Sequence, residues 1–381
     1  MTTATKKRPK TAGEVTAAQT GVIPFERDRL KAVLGLLGRV VPTRGPKPVL
    51  ANVHFRDLVA VATDLEVRVE LPVVAIGQVD VLLPHGRLAA IVRECDSDTV
   101  GLRPDATSVT VTAGRGTWTL PTESVAEFPT WEVAAKPFAR MPADELERML
   151  SAVSYATDDE SSRFALGGVL LELTDGELVA VATDGRRLSI ARADIDQATD
   201  DGTAIVPLHA VQVLRAVLAA AESGSGVQLS VSPRELVAEL DDGSRLVARL
   251  LEGRFPKWRD VVPAAGDQTP RAAADHGELL SAVRQAAIVT TEQSKGVVFQ
   301  FMDDELELSG RSAESGESRV SCPLRQGGPI ARVSLDPRFV SDALLAVDHD
   351  EPVEILATKP GERVVFFSGS VTAVVMPLAE E

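Results

Sequence analysis

The chain has 381 residues, 44% of them hydrophobic, with a formal net charge of -15 and two cysteines. No apolar run approaches the roughly 18 residues of a membrane span. Cys95 and Cys322 cannot build a disulfide framework and point to a reducing cytoplasm, while the acidic balance argues against a protein that coats nucleic acid with its whole surface, though not against basic residues gathered on one DNA-facing side.

The first 20 residues, MTTATKKRPKTAGEVTAAQT, lack the apolar segment of a secretory leader and read as a disordered, solubilising tail. From residue 21 two kinds of segment alternate. Stretches with apolar residues at i, i+3, i+4 and i+7 predict helices at 25–41, 85–96, 142–157, 207–222, 275–289 and 336–348, several opening on a Pro or Asp suited to a first turn. Between them, alternating runs at 108–120, 168–184, 236–251 and 297–310 predict antiparallel strands. Thr174-Asp175-Gly176 and Asp241-Asp242-Gly243 mark hairpin turns in which glycine tolerates positive φ.

The phrase LVAVATD occurs at 58–64 and again 120 residues later at 178–184, and EFPTWE at 127–132 is echoed 127 residues on by RFPKWRD at 254–260. Two independent echoes at nearly one spacing imply repeating units of about 120 residues. A third copy of the first phrase has decayed to LELSGRSAE at 306–314. The expected organisation is a tail at 1–20 and domains at 21–137, 138–264 and 265–381, each with two helices packed on antiparallel sheets: an α+β fold.

Catalytic chemistry finds little footing. His54, His85, His209, His276 and His349 are scattered, with no i, i+4 pair and no cysteine at ligand spacing, so no metal or other cofactor is expected. There is no phosphate loop of the G-x-x-x-x-G-K-[ST] kind. The stretches SGSG at 223–226 and SAESGES at 312–318 lack the strand-turn-helix setting of a nucleophile elbow. Asp158-Asp159, Asp200-Asp201 and Asp303-Asp304 sit beside turn residues and read as solvated turn acids; Asp64 and Asp184 recur through duplication, each ending a strand at a turn.

Four stretches, RFALGGVLLEL with VATDGRRLS (163–189), LLEGRFPKWRDVVP (250–263), RQAAIVTTEQSKGVVFQF (284–301) and VVMPL (374–378), resemble in order and spacing the bacterial DNA polymerase III beta subunit, the sliding clamp, over about 21–378. The resemblance implies three clamp domains per chain and two protomers joined head to tail in a closed six-domain ring, helices lining the hole. Such a homodimer leaves no unsatisfied interface. It implies a non-catalytic processivity subunit, loaded by an ATP-dependent clamp loader, that encircles double-stranded DNA without reading its sequence. Short linear peptides of polymerase and clamp-loader subunits would dock on it; no membrane is involved.

Carried onto this sequence, the resemblance implies DNA contacts at Arg44 in PTRGPKP and at Arg93, Arg215, Arg284 and Arg338, made to phosphates. It implies a peptide cleft between the second and third domains, lined by Leu166, Thr183, Gly185, Arg186, Arg187, Leu188, Pro256, Val261, Asp336, Phe339, Val374, Met376, Pro377 and Leu378. Met and Leu make adaptable apolar walls and Gly permits close approach. A ring interface would set Trp118 and Leu120 of the edge strand GTWTLP (116–121) against Ile288 and Val289 of the neighbour. Taken alone, each arginine reads as a solvated helix face, Leu166, Val261 and Val374 as strand core, and Trp118 as an ordinary aromatic.

The chain departs from the family at several points. Arg186 stands where histidine is common and favours an acidic or polar peptide neighbour, whereas the Glu380-Glu381 ending disfavours acidic peptides. Phe164-Ala165 replaces an aromatic pair, and 358–363 aligns ambiguously. Two other classes of function make different predictions. A metal-dependent hydrolase or nuclease would lose turnover on substitution of Asp158 or Asp184, and a β-rich scaffold would show no retention on circular DNA. Binding of a Gln-Leu-x-Leu-Phe peptide that is indifferent to Met376→Ala would speak against the cleft.

Overall fold

The computed structural model describes residues 21–44, 47–73, 79–158, 164–195, 201–263, 271–291, 296–328, 331–347, 351–357 and 361–378. The tail at 1–20, Asp159, Asp200, His349 and the Glu380-Glu381 ending lie outside them. The chain divides into two compact units, Met1–Trp131 and Glu132–Glu381.

In the first unit, β1 (Ile23–Glu26) leads into α1 (Arg27–Leu37). Then come β2 (Asn52–Arg56), β3 (Val59–Thr63), β4 (Val67–Pro72), β5 (Asp80–Pro84), α2 (His85–Glu94), β6 (Thr99–Pro104), β7 (Ser108–Ala113) and β8 (Gly116–Pro121). The strands pair antiparallel in two runs, β1-β6-β7-β8 and β5-β2-β3-β4. The helices turn Leu30, Leu34, Leu37, Leu88 and Val92 into the core.

The second unit writes this pattern twice. Its first copy runs β9 (Lys136–Pro142), α3 (Ala143–Ser154), β10 (Gly168–Thr174), β11 (Glu177–Thr183), β12 (Arg187–Asp194), β13 (Gly202–Pro207), α4 (Leu208–Ala219), β14 (Gly226–Val231), β15 (Glu235–Leu240) and β16 (Arg245–Arg249). The second runs β17 (Ala272–Ala274), α5 (His276–Ala286), β18 (Val297–Phe301), β19 (Glu305–Ser312), β20 (Gly316–Gln326), β21 (Arg332–Leu335), α6 (Pro337–Ala346), β22 (Val353–Leu356), β23 (Val364–Ser368) and β24 (Val371–Val375). Each of the six predicted helices is present, and each repeat holds two strand runs: β9-β14-β15-β16 with β13-β10-β11-β12, then β17-β22-β23-β24 with β21-β18-β19-β20. The two copies join edge to edge where β12 pairs antiparallel with β24, setting Leu188 opposite Val374 and Ile190 opposite Thr372.

The phrase LVAVATD occurs twice because it builds one turn twice. Thr63 Oγ donates to the Val67 carbonyl at 2.9 Å, and Asp64 Oδ1 accepts from the amides of Glu66 and Val67 at 2.9 and 2.7 Å. Thr183 Oγ donates to the Arg187 carbonyl at 2.7 Å, and Asp184 Oδ1 accepts from the amides of Arg186 and Arg187 at 2.8 and 2.9 Å. A short polar side chain that bonds the backbone two and three residues on fixes a tight reversal without a long loop. That local economy accounts for both aspartates.

Helix starts follow their sequence cues. Asp336 caps α6 by accepting from the Arg338 amide, and Asp275 caps α5 by accepting from the amides of Gly277 and Glu278 at 3.1 and 3.3 Å. The Glu278 amide is the main reason the Asp275 carboxyl titrates below its ordinary 3.8, with the Arg325 guanidinium, 2.8 Å from Oδ2, adding to it. A lowered carboxyl stabilises the fold fully above its ordinary value and loses that contribution as pH falls through the lowered one. Asp275→Asn is therefore expected to melt below the wild type at pH 6, with the gap narrowing as the pH is taken from 4 down to 2.5. A gap that stays constant across that range would refute the assignment.

Candidate functional site

The seam between β12 and β24 carries an apolar groove of about 240 Å³. Its floor comes from strands: Thr183 ends β11, Leu188 is the second residue of β12 and Val374 lies on β24, all three buried. Its walls come from turns. Leu166 sits in the helical turn Phe164–Leu166, Pro256 precedes the turn Trp258–Val261, and Met376, 41% exposed, follows β24. The Met376 amide donates to the Arg186 carbonyl at 2.8 Å, which holds the methionine against the Thr-Asp turn across the seam.

Among the predicted cleft residues, Leu166, Thr183, Gly185, Arg186, Arg187, Leu188, Pro256, Val261, Val374 and Met376 converge on this groove. Asp336, Phe339, Pro377 and Leu378 do not line it. Asp336 is buried as the cap of α6, Phe339 lies on α6 under the Arg187 guanidinium at 4.6 Å, and Leu378 is tied back by its amide to the Ser334 carbonyl at 2.8 Å. Sequence reasoning missed Trp258 and Lys257, which complete the lining. The buried Trp258 ring lies 4.1 Å beneath the Arg259 guanidinium, itself paired with Glu172 at 3.0 Å. The usable signal was the echo itself, since the FPKW stretch places Phe255 and Trp258 in the cluster behind the groove.

Arg187 is the electrostatic centre of the seam. Its Nε meets Asp184 Oδ2 at 3.0 Å and its Nη1 meets Asp342 Oδ2 at 2.6 Å, while the guanidinium lies 5.2 Å from the Tyr155 ring centre. Burial pushes the Tyr155 hydroxyl up to about 12, so the phenol stays neutral beside these carboxylates.

The predicted DNA-facing arginines separate into two kinds. Arg44, Arg93 and Arg284 are exposed, Arg93 with an adjacent Glu94 at 2.8 Å. Arg215 of α4 instead donates to Glu147 at 3.0 Å and to Ser151 at 2.6 Å on α3, and Arg338 turns back to Asp336 at 3.0 Å. Lys31 on α1 and Arg39 in the turn just after it, not singled out from the sequence, join Arg93 around a shallow depression between α1 and α2.

On β8, Trp118 pairs with Val111 and Leu120 with Val109, so both stand on the core face. Leu120 is sealed there at 8% exposure, and Trp118, at the margin, remains 37% exposed. Of that predicted interface pair, only Trp118 is therefore exposed at the strand's margin. Its ring lies across Gly116, where a Cβ would fall 2.1 Å from it. Ile288, in the turn Ala287–Val289 after α5, is 78% exposed, and Val289 is half-buried.

Among the described residues no three His, Cys, Asp or Glu side chains are grouped to hold a metal, and no helix is long and apolar enough to cross a membrane.

Family models match the chain in order: the DNA polymerase III beta subunit N-terminal domain at 23–132, its central domain at 140–257 and its C-terminal domain at 259–378. Curated relatives are named beta sliding clamp. That of Chlamydia pneumoniae is 27% identical over 92% of this chain and 97% of its own length; that of Pseudomonas aeruginosa is 26% identical over 90% and 94%. Among solved structures, the DNA polymerase III subunit beta of Pseudomonas aeruginosa is 25% identical over 94% of this chain and all of its own, with a TM-score of 0.84. The Bacillus subtilis sliding clamp shares the fold at 18% identity, with a TM-score of 0.85.

Proposed function

Since the chain belongs to the DNA polymerase III beta-subunit family, matched by models of all three of its domains, we propose that it is a DNA sliding clamp. It is a non-catalytic ring that encircles duplex DNA irrespective of sequence and tethers the replicative polymerase, with other replication and repair proteins, for processive synthesis. It works in the cytoplasm and is opened and closed on DNA by an ATP-dependent loader.

The observation that carries this reading is the pattern of strand edges. In the second unit the outermost strand of one run, β12, pairs with the outermost strand of another, β24. Of the strands that hold the corresponding places elsewhere, β20 along 316–322 pairs only with β19, and β8 only with β7, among the described residues. Unpaired edges are templates for another chain. A second copy laying its β8 along β20 repeats the β12–β24 seam between protomers and brings its Trp118 toward Ile288 and Val289; each chain offers one edge of each kind, and a half-turn between protomers closes the ring after two copies.

Helix pairs α1/α2, α3/α4 and α5/α6 then face the DNA. Arg44, Arg93 and Arg284 contact phosphates, while Arg215 and Arg338, held by Glu147 and Asp336, contribute less directly. Retention is topological, so a few exchangeable contacts suffice. The groove at the β12–β24 seam takes the apolar residues of short linear peptides, a class of ligand suited to a small, pre-formed apolar site. Domain boundaries near 137 and 264 fit this arrangement.

Single-particle electron microscopy of the purified protein without DNA tests the ring. Flat particles with an open centre and six-fold pseudo-symmetry are expected. Compact particles without a hole, at concentrations where the dimer forms, would overturn the reading.

A further inference from the structure

We propose that the residue at the left-handed position of the Thr-Asp turn decides whether a repeat's groove is open: Gly185 leaves it open in the second unit, and Leu65 closes its counterpart in the first. The inference rests on the reading of the groove as a peptide site, and it explains why the duplicated turn does not give a duplicated site.

The two turns superpose residue for residue by their pairing. Thr63 stands opposite Arg68 as Thr183 stands opposite Leu188, and the Thr and Asp side chains make the same hydrogen bonds in both. The residue after the aspartate has φ 82° at Leu65 and 85° at Gly185. A leucine in that region is strained, and such strain persists where the surroundings hold it. Leu65 is half-buried and packs on a cluster of Val49, Leu50, Val61, Leu82 and Phe128. The corresponding positions around the open groove are Ala165, Leu166, Val181, Ile205 and Phe255. A Cβ placed on Gly185, which lines the groove, would meet nothing within 4 Å, so a side chain there starts into open space where Leu65 starts into its packed cluster.

The first repeat is closed a second way. Leu188 of the groove floor is replaced by Arg68, 4% exposed, whose Nε meets Glu70 at 2.7 Å and whose Nη1 donates to the Pro129 carbonyl at 2.9 Å. An apolar peptide side chain finds there an ion pair in place of a leucine wall.

The test is fluorescence anisotropy of a labelled Gln-Leu-Ser-Leu-Phe peptide with the full chain. Gly185→Leu is expected to weaken binding at least ~30-fold, and Gly185→Ala, which adds the same backbone strain but one carbon, only about threefold. Gly185→Met repeats the filling with an unbranched chain should the leucine variant not fold. Leucine or methionine variants that bind within threefold of the alanine variant would overturn the proposal while leaving the groove reading intact. A wild-type protein that binds no peptide, or binds it indifferently to Met376→Ala, would remove the groove reading and this proposal with it.

Discussion

Arg187→Ala is expected to lower the melting temperature by roughly 6 to 12 °C and to weaken peptide capture more than tenfold. Both effects come from one guanidinium. It bridges Asp184 on the Thr-Asp turn and Asp342 on α6, and its flat faces lie against Tyr155 and Phe339. The side chains of Arg187 and Asp184 are 14% and 16% exposed, so their pairing is poorly screened; that of Asp342 is 43% exposed, and its share is discounted accordingly. Removing the cation leaves Asp184 nearly buried, though still bonded to two backbone amides, and strands Asp342 beside a neutral phenol. Breaking such a pair by deleting one partner costs about 3 to 5 kcal/mol, of which the discounted value is about 3.

A second comparison separates charge from packing in that effect. Arg187→Lys keeps the cation but lacks the planar fork that reaches two carboxylates while stacking on rings, so it should recover less than half of the lost stability. Arg187→Met combined with Asp342→Leu removes both charges and should recover more. Calorimetry on the three variants decides the matter. A melting shift under about 2 °C for Arg187→Ala would mean that the bridge is a bystander and that β12–β24 pairing alone holds the seam.

This bridge also marks the limit of what the sequence discloses. Helices and hairpins were legible because apolar periodicity and turn chemistry are local: the alternation of GVLLELTDGELVAVATD, the caps at Asp275 and Asp336, and the paired Thr-Asp turns each sit within a few residues. Arg187 and Asp342 are 155 positions apart, and nothing in TDGRRLS distinguishes an arginine that clips two repeats from one on a solvated rim. Arg215 teaches the same lesson, since a helical periodicity locates it on a face but not against the Glu147 of a neighbouring helix. Leu120 shows the converse: alternation put it correctly on the same face as Trp118, yet only the closed sheet reveals that this face is sealed at one position and open two residues away. The groove was readable chiefly through family resemblance, and its missed member Trp258 lay inside a repeated phrase whose partner, Trp131, directed attention to the repeat and not to the residue.

Ile288→Asp is expected to convert a dimer into a monomer at micromolar concentration, raising the dissociation constant at least a thousandfold, with little change in the fold of the chain. Ile288 is 78% exposed, so its replacement removes no core contact within the protomer. An exposed isoleucine on a turn beside β20 gains its burial only when another chain covers it. Full burial of such a side chain is worth about 1.5 to 3 kcal/mol, and a carboxylate in its place adds a desolvation cost at an apolar contact. A closed two-protomer ring contains two identical seams, so the penalty enters twice, and about 2 kcal/mol of lost burial per seam, with the desolvation cost of the carboxylate added, comes to more than about 4 kcal/mol. Leu58→Asp is the control, because Leu58 is 52% exposed but sits in the β2–β3 hairpin and belongs to neither proposed edge strand. Analytical ultracentrifugation over a concentration series reads both variants. If Ile288→Asp sediments as the wild type does while Trp118→Asp dissociates, the β8 edge is right and its partner surface is not; if neither dissociates, the strand-edge argument for the ring fails.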